Sequence, residues 1–362
     1  MSFLTFIVIL SILVIVHEWG HYISAKSVGV KVEKFSVGFG PKLFSKMHDG
    51  TEFMVCAIPL GGYVKMAGDE RASCKGNKEE FFSHPVGHRA FVVVMGPIIN
   101  FVFAYLCFYL IFVIGYPMLA PKVGKVMEGY PAQMAGLEEG DEILQIDSQG
   151  IDSWENLQTY VTHSQSGSLT IKLRRSGEEV VKEIVPRRET MTNIFGQKET
   201  VSLIGIQPKE EVIFLKYGIL ESFGKAGQQL WNVTWMTYKS LYHVVTGGIP
   251  AKDALAGPIR IFDVIRSASH LGFSYLVYVM AIISASLAIF NLFPIPVLDG
   301  GHLFLMAIEK IRRRPISLKL EENLTKVGFT LLMCLMVFVV YNDIIQMGWI
   351  ESLKNFVGKL KQ

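Results

Sequence analysis

Cysteine is scarce and unpatterned in this 362-residue chain. Cys56, Cys74, Cys107 and Cys334 form no Cys-x-x-Cys pair and no even cluster, which leaves no support for a zinc ribbon or a disulfide framework. Charge is also in short supply, at 19% of residues against roughly 25% in a soluble domain. Thirty-five Lys and Arg against 32 Asp and Glu leave a net charge of +3, too small a balance to mark a polyanion-binding protein. With 50% hydrophobic residues the chain is not a disordered one. The N-terminus lacks the basic region and the small-residue cleavage site of a signal peptide. No lipidation or transit signal is present. The length allows about two to three domains.

What the chain does have is concentrated apolar sequence. Phe3–Val16 is apolar apart from Thr5 and Ser11. Phe91–Tyr116 and Phe273–Leu298 each run 26 residues without a charge. Val327–Tyr341 is uncharged, and extending it to Ile350 admits only Asp343. A helix needs about 20 apolar residues to cross ~30 Å of hydrocarbon. The second and third blocks meet that length. The fourth meets it with one acid, and the first meets it by continuing through His17–Ala25. Four membrane helices are therefore expected over 1–25, 91–116, 273–298 and 325–350.

Basic residues orient them. Residues 23–90 carry ten Lys and Arg, and residues 303–326 carry six, including Arg312, Arg313 and Arg314. The excess of positive charge predicts that 26–90 and the 299–324 loop face the cytoplasm. Both termini and the 117–272 segment then lie outside, although Lys354, Lys359 and Lys361 dissent mildly.

The outer segment divides in two. Over 117–212, Gly124–Met127, Glu142–Ile146 and Leu169–Leu173 suit strands and Trp154–Thr162 suits a helix. Gly129–Ile151 resembles a PDZ domain, a module that binds peptides by adding a strand to a sheet edge; a plain small α/β domain is the alternative. Residues 213–272 have helical periodicity, and Trp231, Trp235, Tyr238 and Tyr242 share one face. That face suits packing on the domain or a membrane surface. On the inner side, Val32–Val37 and Phe53–Ile58 read as short strands. They border Gly38-Phe39-Gly40-Pro41 and Pro59-Leu60-Gly61-Gly62-Tyr63-Val64, which predicts a hairpin or small sheet.

His17-Glu18-Trp19-Gly20-His21 carries the chemistry. On a helix, positions i and i+4 point the same way, so both imidazoles can reach one metal and the intervening Glu18 can take a proton from water. Ionisable groups inside a membrane helix need partners; a polar cluster at a helix end is the weaker alternative. A hydrolytic zinc wants a third protein ligand and one open position. Asp299 is the best candidate, because the predicted topology brings it to the depth of His17 and His21. His302 competes but falls better in a loop beside the site. Pro294 and Pro296 break the third helix before Asp299, and irregular backbone at this depth must line a cavity or be buried. Asn291 could bond a substrate backbone there, or make a helix–helix contact.

Together with Gly96-Pro97-x-x-Asn100 and the Asn291-to-Gly301 motif Asn-x-x-Pro-x-Pro-x-x-Asp-Gly-Gly, these residues resemble the site-2 proteases over nearly the whole chain. The closest branch is the bacterial regulator-of-sigma-E group. The resemblance implies a polytopic α-helical membrane protein of four membrane helices in the bacterial inner membrane. It implies one zinc ion held by His17, His21 and Asp299, with Glu18 as general base. It further implies a membrane-associated β element around Gly38, Phe39, Gly40, Gly61, Gly62, Tyr63 and Val64 that presents substrate as a strand. It also implies one extracytoplasmic PDZ-like α/β domain that would take peptide ends, where some members of that family have two. Substrates would be single-span membrane proteins such as anti-sigma factors, trimmed first by an outside protease, and remnant signal peptides. A catalytically silent PDZ scaffold and a zinc hydrolase of lipids are the rival expectations; nucleic acid is not an expected partner.

Overall fold

The charge-free blocks lie on four helices long and apolar enough to cross a membrane: Phe3–Ser27, Val86–Ile114, Phe273–Asn291 and Leu318–Gln346. They belong to a computed structural model that describes residues 2–72, 74–164, 167–193 and 197–347. The last residues expected in the fourth span and the tail with Lys354, Lys359 and Lys361 lie outside the described residues.

In chain order, helix α1 (Ser2–Ser27) leads to strands β1 (Val32–His48) and β2 (Thr51–Met66), then helix α2 (Val86–Ile114). A mainly β region follows: β3 (Tyr116–Leu119), β4 (Val123–Val126), α3 (Pro131–Met134), β5 (Glu142–Ile146), β6 (Gln149–Gly150) and α4 (Trp154–His163). It continues through β7 (Leu169–Arg175), β8 (Glu178–Ile184), β9 (Arg187–Thr192), β10 (Lys198–Leu203), β11 (Ile206–Pro208) and β12 (Val212–Leu215). Helices α5 (Ile219–Val245), α6 (Ala251–Ala254), α7 (Pro258–Leu271), α8 (Phe273–Asn291), α9 (Asp299–Arg312) and α10 (Leu318–Gln346) complete the chain.

These elements form two compact units. One comprises Met1–Leu110, Phe223–Lys239 and Ala251–Gln362, the other Ile111–Ser222 and Ser240–Pro250.

In the first unit, Phe6, Ile9 and Leu13 of α1 pack against Ile265 and Phe262 of α7. A second cluster joins Ala25 and Val32 to Val92 and Val93 of α2 and Met306 of α9. Strands β1 and β2 are longer than the expected short strands, and both bend. Ser36 pairs with Tyr63 on one side and Met54 on the other, while Met54 also pairs with Ser45. The two bent strands therefore make four rows, in the order 44–48, 52–56, 34–37 and 62–66; the outer pairings run in opposite directions, and the central one, of Lys34–Val37 with Glu52–Val55, runs in the same direction. The corners fall where side chains are absent: Gly38, Gly40 and Gly61 all have positive φ, at 89°, 85° and 120°, which glycine adopts without strain.

The third apolar helix stops at Asn291, short of the expected Leu298, and the expected 299–324 loop is mostly helix. Pro294 and Pro296 have no backbone N–H to continue a helix, so Leu292–Leu298 is irregular. Asp299 then opens α9. On that helix Glu309 receives Arg71 Nη2 at 2.8 Å and Arg89 Nη2 at 2.6 Å, tying it to the start of α2. Burial opposes ionisation of Glu309, but these two guanidiniums hold its carboxyl below the usual range.

The second unit has its own core, in which Ile143, Ile146, Leu169, Ile171 and Leu173 are fully buried with Leu157 and Val161 of α4. Its largest sheet has the order β6-β5-β7-β8. Strand alternation buries every second residue of β7 and leaves its partners outside. Arg175 clamps the turn before β5, donating to the buried Asp141 carboxylate at 2.7 and 2.8 Å and to the Gly136 carbonyl at 2.8 Å. On α5 the predicted aromatic face, Trp231, Trp235, Tyr238 and Tyr242, is exposed.

Candidate metal centre

Helix α1 carries His17, Glu18 and His21, with the two imidazoles one turn apart and their ring centroids 4.8 Å apart. Asp299, at the first turn of α9, meets them. Its Oδ2 is 3.2 Å from His17 Nε2 and 3.5 Å from His21 Nε2. The two Nε2 atoms are 3.2 Å from each other. Asp299 Oδ2 is buried, and no aligned hydrogen bond reaches it. A buried carboxylate oxygen without a donor is costly, unless its partner is a cation.

The donor set fits zinc. Zinc–nitrogen and zinc–oxygen bonds of about 2.0–2.1 Å at tetrahedral angles place ligand atoms about 3.3 Å apart. The three donors here stand at 3.2, 3.2 and 3.5 Å. The proton on His21 also sits where a metal ligand needs it. His21 Nδ1 donates to the Val92 carbonyl at 3.0 Å, so its Nε2 offers a lone pair toward Asp299 and His17.

The helices approach closely at two glycines. A Cβ on Gly20 would lie 2.3 Å from the Met95 carbonyl and 2.9 Å from Gly96 Cα; one on Gly96 would lie 2.4 Å from His21 Nε2. Small residues allow such an approach. Four residues beyond Gly96, on the same face of α2, the buried Asn100 places its amide Nδ2 3.3 Å from His17 Nδ1. Asn100 is held from the other side by Ser284 of α8, whose hydroxyl donates to its main-chain carbonyl at 2.9 Å.

Asp299 is carried by a strained turn. Val297 has φ 92°, unusual for a β-branched residue and of the kind found where the fold imposes a local geometry. The two glycines after Asp299 let that turn fold back on α9: a Cβ on Gly300 would lie 2.2 Å from the Leu292 carbonyl, and one on Gly301 2.3 Å from that of Ile295.

The family model of peptidase family M50 matches residues 5–335. The chain belongs to peptidase family M50. As an M50 peptidase it is a metalloprotease and a membrane protein, and its relatives carry names to match. A predicted zinc metalloprotease of Agrobacterium fabrum is 36% identical, covering 94% of this chain and 94% of its own. A second, from Rhizobium meliloti, is 35% identical, covering 94% and 95%. Among solved structures, the PDZ domain of an SdrC-like protein from Listeria innocua is 26% identical, covers 25% of this chain and 96% of its own, and has a TM-score of 0.20.

The other residues singled out from this M50 sequence fall at different distances from the centre. Gly62 lies beside it: a Cβ there would be 3.5 Å from Glu18 Cγ and 2.7 Å from the Ser36 carbonyl. Tyr63 and Val64 continue the same row, and Phe39 stacks on Tyr63 with ring centroids 6.1 Å apart. Gly38 and Gly40 are corners of the sheet. Asn291 ends α8. His302 does not join the metal cluster; it lines a cavity of about 190 Å³ with Arg71, Phe82, Arg89 and Glu309. Sequence reasoning gave Gly96 and Asn100 no role of their own. Their i, i+4 spacing was the available signal, since it puts them on one helix face.

Proposed function

We propose that this protein is an intramembrane zinc endopeptidase that hydrolyses peptide bonds within the membrane segments of single-span proteins. The observation that carries the reading is the meeting of Asp299, from the start of α9, with His17 and His21 of an apolar helix long enough to cross a membrane, beside Glu18 and a sheet edge. His17, His21 and Asp299 hold one zinc ion. Bound zinc supplies Lewis-acid chemistry, acidifying water and polarising a carbonyl. Glu18, between the two histidines, accepts the proton of the attacking water and returns it to the leaving amine.

A membrane helix satisfies its own amides, so a segment must unwind before it can be cut. Unwound backbone needs pairing partners. The 62–66 row supports this: among the described residues its ladder partners lie on one side, at 32–37, and it runs past Glu18 at Gly62. A substrate strand added to that edge is held extended next to the centre. Asn291 and the irregular Leu292–Leu298 backbone supply further polar groups.

The basic residues of 23–90 and 303–326 support a topology in which the β1–β2 segment and α9 face the cytoplasm of a bacterium, across its inner membrane, and the PDZ-like segment faces outside. That unit acts as a PDZ-type module. In it, α4 and the segment 202–208 line a cavity of about 430 Å³ with Trp154, Leu157, Val161, Ile204 and Ile206, a shape suited to a peptide end. Substrates are anti-sigma-factor-type proteins already trimmed outside, and remnant signal peptides.

The test offers the purified protein a labelled single-span peptide and a lipid panel. Glu18→Gln is expected to abolish peptide cleavage while keeping the zinc content of the unaltered protein. Full activity in that variant, or turnover of lipids alone, would overturn the proposal.

A further inference from the structure

His21 and His17 are held in different ways. The His21 ring is locked by a backbone carbonyl, which can only accept, so its proton stays on Nδ1. His17 Nδ1 instead faces the side-chain amide of Asn100, and an amide can present either a donor or an acceptor.

In the arrangement described, Asn100 Nδ2 donates to His17 Nδ1. The ring proton is then on Nε2, facing His21 Nε2 and Asp299 Oδ2, each 3.2 Å away. For Nε2 to offer a lone pair to a cation, the proton must move to Nδ1, and Nδ1–H then needs an acceptor. Asn100 Oδ1 is that acceptor once the amide turns about its last torsion. In its present position Oδ1 is buried and has no hydrogen-bond partner, so the turn gives it a donor.

We propose that Asn100 is a positioning residue that sets the tautomer of His17, accepting from Nδ1–H when Nε2 binds metal. This rests on the zinc site proposed above. Its place in the fold supports it. Asn100 is fully buried and its backbone is pinned by Ser284. It also shares a helix face with Gly96, the residue whose missing Cβ makes room for both imidazoles. One face of α2 thus serves both histidines: Val92 orients His21, Gly96 clears space and Asn100 orients His17. Partners of this kind typically change metal affinity 10- to 100-fold when removed.

Zinc affinity of the purified full-length protein, measured by competition with a chromophoric chelator, tests the assignment. Asn100→Leu removes both donor and acceptor at similar volume and is expected to weaken zinc binding about 10- to 100-fold. Asn100→Asp keeps an acceptor oxygen toward Nδ1–H and is expected to bind zinc like the unaltered protein. A purely structural role would not be rescued by Asp. Wild-type affinity in Asn100→Leu would overturn the inference, and so would an Asn100→Asp variant as weak as Leu. Should the Leu variant fail to fold, the Asp variant decides alone, and weakening of about tenfold or more overturns it. His17→Ala serves as reference. If it loses zinc while Asn100→Leu does not, only the role of Asn100 falls. If the unaltered protein binds no zinc, the metal-site reading falls with it.

Discussion

Asp343, fully buried on the last apolar helix, accepts a hydrogen bond from the backbone amide of Gly257 at 3.1 Å. Its other carboxylate oxygen accepts from Ile259 and Arg260, also at 3.1 Å. The one acid in that apolar run is therefore the cap of α7, satisfying amides that a helix start leaves without intrahelical partners. Gly257 has no Cβ for good reason, since one would lie 2.4 Å from Asp343 Oδ2. Asp343→Ala is expected to lower stability by about 1–3 kcal/mol. Thermal unfolding in detergent reads this, and an unchanged midpoint would count against the cap.

Gly96→Ala tests the approach of α1 and α2. The added methyl would meet His21 Nε2 at 2.4 Å and His17 Cε1 at 2.8 Å, so the rings must move or the helices must part. We expect a folded protein with little or no bound zinc. Metal analysis alongside an unfolding curve separates that outcome from general collapse.

Gly62→Ala probes the sheet edge. Its Cβ would collide with the Ser36 carbonyl and touch Glu18 Cγ, displacing the row proposed to receive substrate. Cleavage of a membrane peptide should fall by at least tenfold, a loss of about 1.4 kcal/mol. Zinc content should stay intact, because the atoms nearest to the added Cβ belong to Ser36, Val14 and Glu18 and not to His17, His21 or Asp299. Equal loss of both would place Gly62 in the metal centre instead.

Acid sensitivity should come in part from two carboxylates outside the membrane helices. Glu80 accepts from the backbone amides of Lys75, Gly76 and Asn77 and from the Asn77 side chain at 2.7–3.1 Å. Burial works against ionisation, yet these bonds and that from Cys74 hold its carboxyl at about 2. Glu309 is lowered too, by Arg89 and Arg71. A depressed folded value means stabilisation that is present above the unfolded carboxylate range and lost as pH falls through the folded one. For Glu80 that window runs from about 4.5 down to about 2. Glu80→Gln and Glu309→Gln should each be less stable at neutral pH and show a flatter acid limb. An unchanged pH profile of unfolding in both variants would remove them as the source.

Much of the site was legible because its signals are local. His17 and His21 share a helix face by spacing alone. Asp299 was reachable through charge-based topology together with the Asp-Gly-Gly motif. Other residues were not, because their roles depend on which distant face arrives opposite. His302 sits one turn past Asp299, yet its helix turns it toward Arg89 and Glu309. Asp343 read as a tolerated acid at the end of a span until α7 was seen to start against it.

The sequence by itself determined where the apolar helices run, which side of one helix carries two imidazoles, and where glycines let the inner strands bend. Those outcomes follow from covalent periodicity and from the cost of exposing apolar side chains to water. Tertiary structure alone decided that Asp299 completes the cluster at ligand spacing, that Asn100 meets His17, and that two bent strands build a four-row sheet with its edge at Glu18. Each depends on distant segments meeting to within tenths of an ångström, and packing geometry rather than local periodicity sets that distance.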